Sequence, residues 1–332
     1  MQLTTRDAVP EPYLVSSLPP NAPLSATPVS HGVDGAFEGS FAGTARDITV
    51  LHTRPWYRRQ EYYLEGWSDP VIWRAAVDEC LATAGFIYLS GQFGMTLMNE
   101  GVTQTAAYVG IFNSVSLALF IYATAAATGG HLNPMITFTT VLCGLTPMPR
   151  GVVLITAQVL GGILAGGVLL GSWGHDRAVS HMGGGSFFDP SHITPSQVLV
   201  TETMSSLIFL FLSIGTGLDP RQQVLYGRQL GPLLVGLSLG LVTCATTGIA
   251  PGYTGACINP ARAIGLAIAG WNWHDHWIWW SGPALGSMLV SLTYRFAPPS
   301  HAERVKYGRT EAGQPVAVRA GRDQNRPHEA SV

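Results

Sequence analysis

Two asparagines, Asn133 and Asn259, each stand directly before a proline inside an apolar stretch, 126 residues apart. Such a pair is equipped to start a helix. The carboxamide oxygen caps the first orphan N–H groups, and Pro134 or Pro260 takes the first helical position, where its missing N–H costs nothing. The carboxamide also carries N–H donors that an oxygen-bearing solute can accept. Lipid satisfies no backbone group, so a helix that begins at membrane depth must line a cavity or lie buried in protein. Two such starts, one per half of the chain, predict a passage where two half-helices meet. Arg262, three residues past the second Asn, adds a cation, and arginine in an apolar segment marks a solute path by default.

Composition agrees with a membrane setting. Of 332 residues, 47% are hydrophobic and 11% charged, with net charge −2 and mean hydropathy +0.24. A soluble domain carries about 25% charged residues. No basic block suggests nucleic acid. The cysteines (Cys80, Cys143, Cys244, Cys257) show no CxxC spacing, so neither a disulfide frame, a zinc site nor another cofactor site is expected. Residues 1–69 read as a largely disordered tail with no signal peptide, 70–298 as the membrane domain and 299–332 as a second tail.

Six segments have the length and apolarity of spans, at about 73–98, 106–128, 149–172, 197–218, 230–250 and 275–296. Trp277, Trp279 and Trp280 suit a membrane interface at the start of the last. The stretches 134–143 and 260–270 are too short to cross and suit re-entrant helices. Arg54, Arg58, Arg59 and Arg74 lie before or at the start of span one, and Arg150 follows span two. Arg221 and Arg228 follow span four, while Arg295, Arg304, Lys306 and Arg309 lie at or after the end of span six. This bias puts both termini in the cytoplasm. The halves also repeat: Glu79 lies 54 residues before Asn133 and Glu202 lies 57 before Asn259. Three spans per half make the repeat inverted, so the re-entrant segments meet near the midplane. The expected fold is therefore all-α: six transmembrane helices plus two half-helices in an inverted repeat. Gly161, Gly162, Gly166, Gly167, Gly236 and Gly240 would let helices approach closely.

Gly-Gly-His-Leu-Asn-Pro-Met (129–135) and Tyr-Thr-Gly-Ala-Cys-Ile-Asn-Pro-Ala-Arg (253–262) resemble the two signature boxes of the major intrinsic proteins, the aquaporins. The resemblance covers roughly residues 70–296, with Glu79, Glu202 and Gln158 in their family places. Within the family the chain is most similar to the X intrinsic proteins, the fungal members above all. Met135 replaces the usual Ala after the first Asn-Pro, and Ala263 follows Arg262, where that subgroup often has Cys and glycerol facilitators Asp.

The resemblance implies a channel, not an enzyme. Pro134, Met135, Pro260 and Ala261 complete the two boxes, whose Asn133 and Asn259 donate to the permeating oxygen. Counting from the boxes gives a constriction of Asn113, Thr247 (or Thr246 by a one-residue shift), Ala256 and Arg262. Where strict water channels carry an aromatic and a His, Asn113 and Thr247 are small and polar, which favours glycerol, urea or hydrogen peroxide alongside water. Glu79 and Glu202 are expected to brace the box loops, His131 to face a vestibule, and Cys257 to lie near the pore mouth. Loop 173–196, with His175, His181 and His192, could cover the outer mouth. A homotetramer in the plasma membrane, in contact with lipid, is implied. The alternatives are an ion- or proton-coupled transporter, which also uses broken helices, and a structural membrane protein with a closed pore.

Overall fold

In this computed structural model, residues 56–58, 60–220 and 229–297 are described, with the backbone of 306–309 and 315–318. The expected disorder of residues 1–55 lies outside the described residues, as do Arg54, Arg59, Arg221, Arg228 and Arg304.

Every polar group of the backbone must be satisfied within the bilayer, and helices do this locally. After a 3₁₀ turn (Trp56–Arg58) come α1 (Glu61–Leu64), α2 (Pro70–Asn99), α3 (Thr105–Thr128), the half-helix α4 (Pro134–Leu142) and α5 (Met148–Trp173). The second part holds α6 (His175–Ser180), α7 (Pro195–Ser213), α8 (Gly231–Thr246), the half-helix α9 (Pro260–Gly270) and α10 (Ile278–Phe296). A π-helical turn, Ile214–Leu218, extends α7. Two short strands, Lys306–Arg309 and Pro315–Val318, pair antiparallel in the region read as the second tail.

The expected spans and half-helices all correspond to helices, with shifted ends. The fifth stops at Thr246, because Thr247 turns extended at φ −66°, ψ 123°. The sixth begins at Ile278, and Trp279 is 1% exposed, packed on Phe188 rather than at an interface. Trp277 stays exposed, as do Trp271 and Trp273 just before it, a placement that suits such a belt. By length and apolarity alone, three of the described helices could cross a membrane: Thr105–Thr128, Met148–Trp173 and Pro195–Leu218. Helix α2 carries Arg74, Asp78 and Glu79 within its first turns, and α8 is only 16 residues long. The outer surface of the bundle is nonetheless apolar, with Leu81, Ile111, Leu119, Val200, Leu241 and Leu292 all exposed. Side chains of that kind face lipid or another subunit at no desolvation cost.

Packing repeats with the sequence. Helix α2 packs along α5 as α7 packs along α10, and α3 pairs with α8 across the junction of the halves. A Cβ on Gly240 would overlap Ser114 Oγ, and one on Gly236 the Ser114 carbonyl. On α5, a Cβ on Gly162 or Gly166 would overlap carbonyls of Ala261 or Gly265 in α9. Glycine there lets the two backbones touch. Gly167 faces open space and the structure gives no reason for it.

Helix α7 opens with a capping box. Thr194 Oγ1 accepts from Gln197 N at 3.4 Å and Gln197 Oε1 accepts from Thr194 N at 2.9 Å. Replacing Thr194 with Ala should cost about 1 kcal/mol. It should lower the Tm of the purified protein by about 2–4 °C. An unchanged melting curve would show that lipid-facing packing holds this terminus without the cap.

Candidate functional site

The two Asn-Pro starts meet at the centre of the bundle. Asn133 (φ −151°, ψ 122°) caps α4: its Oδ1 accepts from Met135 N at 2.9 Å. Asn259 (φ −141°, ψ 103°) caps α9, its Oδ1 accepting from Ala261 N at 3.1 Å and Arg262 N at 3.2 Å. Each amide nitrogen then reaches across the junction. Asn133 Nδ2 donates to the Ile258 carbonyl at 2.9 Å, and Asn259 Nδ2 to the Leu132 carbonyl at 3.0 Å. One N–H of each amide is thus spent on the opposite loop and the second is left over. Both side chains line the same cavity.

The carbonyls that receive these bonds belong to strained residues. Leu132 and Ile258 sit at φ 55° and 48°, where a branched side chain clashes with its own backbone. Such a residue costs about 1–3 kcal/mol and persists only when its surroundings dictate it. Here buried carboxylates do so. Glu202 Oε1 accepts from Cys257 N at 2.6 Å and its Oε2 from Ile258 N at 2.9 Å. Glu79 Oε1 accepts from Leu132 N, and also from Gln158 Nε2 at 2.8 Å. Gln158 extends this set to Thr137 Oγ1, which lies 3.0 Å from His131 Nδ1.

Two cavities approach the centre from opposite faces. The first, narrow at about 30 Å³, runs from Leu218, Gly231 and Pro232 to His131, Asn133, Asn259 and Cys257. It lies toward the face where Tyr62 Oη donates to the carbonyls around the end of α4, 2.5 Å from Val141 O and 2.9 Å from Thr146 O. The second, of about 460 Å³, is lined by Phe93, Phe112, Thr247, Tyr253 and the loop residues Gly184, Gly185 and Phe187. Asn113 and Arg262 line both. The boundary between the cavities is therefore an amide and a guanidinium. Burial holds the phenol of Tyr253 well above the usual tyrosine range, so this wall of the second cavity stays neutral. Among the described residues, no three His, Cys, Asp or Glu side chains gather as a metal site would need.

The remaining candidates fall unevenly around this boundary. Thr247 lines the second cavity alone, while Thr246 turns away to accept from Ala256 N at 3.1 Å. Ala256 is buried and lines neither cavity. Pro134, Met135, Pro260 and Ala261 are buried in the first turns of the half-helices and likewise line neither. Counting from the boxes misses Thr243, one helical turn before Thr247 on the wall of the first cavity. It also misses Phe93 and Phe112, stacked with centroids 4.3 Å apart in the second. Loop 173–196 does form a wall of the second cavity, through its glycines, but His175, His181 and His192 are not among the lining residues.

Residues 66–294 match the family model of the major intrinsic proteins. The chain belongs to the major intrinsic protein family. An aquaporin of the TIP4-1 type from Zea mays is 34% identical, with 67% of this chain and 84% of the relative aligned. A probable PIP-type 7a aquaporin from Pisum sativum is 33% identical over 70% of this chain and 80% of its own. The structure of the aquaglyceroporin from Plasmodium falciparum shares the fold, with TM-score 0.58 and 18% identity over 68% of this chain and 96% of that one. This major intrinsic protein is an integral, multi-pass membrane protein with the aquaporin-like fold. It acts as a passive channel for water and small uncharged solutes.

Proposed function

We propose that the channel passes glycerol, urea or hydrogen peroxide as well as water, and that Asn113, Thr247 and Arg262 form its filter with Ala256 behind them. The observation that carries this reading is the wall shared by the two cavities, made of Asn113 and Arg262. An amide opposite a guanidinium offers several hydrogen bonds in exchange for those a polyol leaves behind in water. Below the filter, the spare N–H groups of Asn133 and Asn259 orient the passing oxygen. The positive ends of α4 and α9 meet there, so cations and protons face an electrostatic barrier made larger by Arg262. Glu79 and Glu202 act as braces for the box loops.

The face of α1 is the cytoplasmic one, with both tails on that side, and the plasma membrane is the proposed location. Four copies assemble as a homotetramer through the exposed apolar helix faces, each copy with its own passage.

Proteoliposomes should show raised water, glycerol, urea or peroxide permeability in stopped-flow measurements, while planar bilayers carry no current above that of empty membranes. A cation conductance that depends on the protein would overturn the passive reading in favour of an ion-coupled carrier.

A further inference from the structure

Arginine offers five N–H donors in a rigid plane, so whatever holds part of the plane aims the rest. In Arg262 the Nε–H donates to Ser90 Oγ on α2 at 2.9 Å. Nη1 faces Ser186 Oγ at 3.4 Å and Cys257 Sγ at 3.7 Å. Among the described residues Nη2 has no hydrogen-bond acceptor, and it faces Gly185. A Cβ there would stand 3.1 Å from Nη2, and Gly185 lines the second cavity. That edge of the guanidinium is left open where a solute would pass.

The two hydroxyls are themselves held firmly. Ser90 is 4% exposed within α2. Ser186 is 8% exposed at φ 58°, at the end of a glycine run with φ values of 65°, 92° and 152° at residues 183–185. Side chains on Gly183 or Gly184 would overlap the carbonyls of Leu266 or Gly91. The run is therefore wedged between α9, which carries Arg262, and α2, which carries Ser90. The loop backbone is thereby packed directly against both helices.

We infer that Ser90 and Ser186 are positioning residues that set the plane of Arg262 and thereby the selectivity of the channel. The inference rests on the reading of Arg262 as part of the filter. Without the acceptor on α2, the side chain is free to swing along the second cavity, and the passage widens on that side.

The test compares urea and water permeability of proteoliposomes, normalised to incorporated protein, for wild type, S90A, S186A, S90T, R262A and the double variant S90A/R262A. S90A should raise the urea-to-water ratio about three- to tenfold, the size expected for one net hydrogen bond. S186A should shift it the same way by less, since its contact is longer, and S90T, which keeps the hydroxyl, should restore it. In the R262A background S90A should add nothing, because it acts only through the guanidinium. An unchanged ratio in S90A and S186A while R262A shifts it would overturn the inference alone. A shift of equal size with and without Arg262 would overturn it too, by making Ser90 a packing residue. If R262A itself leaves the ratio unchanged, the filter reading falls and the inference with it. Should S90A fail to incorporate, S186A in the two backgrounds decides by the same comparison.

Discussion

Replacing Asn113 with Phe should reduce glycerol and urea permeability by about tenfold or more while water permeability falls by only about two- to threefold, sizes set by the loss of a polar partner to a desolvating solute. Asn113 is 5% exposed and stands on the wall common to both cavities, across from Arg262. A phenyl ring at that place narrows the opening and removes an amide at once. Glycerol gives up more of its hydration than water does on entry, so it depends more on replacement partners. Stopped-flow shrinkage and reswelling of the same vesicles separates the two fluxes. An equal loss of both at normal incorporation would make Asn113 a residue of helix packing. No change in either would move the filter elsewhere.

Glu202→Gln should deplete the folded protein rather than retune it. The carboxylate serves two successive N–H groups, those of Cys257 and Ile258, with one oxygen each. An amide presents one acceptor and one NH2, so one buried N–H then faces another donor. A buried donor left without a partner costs about 1–3 kcal/mol, and charge-assisted bonds are the stronger kind. The strained Ile258 backbone depends on the same contact, which pushes the loss to the upper end of that range. The expected result is a fall of about tenfold or more in detergent-stable protein, with the remaining molecules keeping wild-type urea-to-water ratios. Normal abundance combined with a lost pH dependence of transport would instead identify Glu202 as a proton carrier.

The architecture was legible because its signals are local. Asn and Pro at a helix start depend on cap chemistry within four residues, and the matched spacing of Glu79 and Glu202 revealed the repeat without any contact map. What surrounds the boundary between the cavities was not legible for the opposite reason. Ser90 and Ser186 bond Arg262 across 172 and 76 residues of chain, and serine in a membrane helix has no pattern that names its partner. Counting put Ala256 in the ring, yet a count cannot sense that Thr246 ties its N–H away from both cavities. Trp279 likewise carries the residue type of an interface while tertiary packing draws it into the core. The conformation of loop 173–196 was not readable from its glycine run at 183–185, whose positive φ angles serve a tight passage between two helices.

The crossed amide bonds at the centre also bear on how the chain is made. Asn133 needs a carbonyl 125 residues downstream, and Leu132 waits for a donor 127 residues away. When the first three spans have left the ribosome and entered the bilayer, neither partner yet exists. The first half-helix must then rest in a provisional state, its tip bonded to water or to the insertion machinery. Final docking becomes a late, concerted event that closes both loops together. Biogenesis thus has a checkpoint written into its geometry: a chain truncated before residue 258 lacks the Ile258 carbonyl and Asn259, so it leaves Asn133 and Leu132 without their partners, a ready mark for quality control.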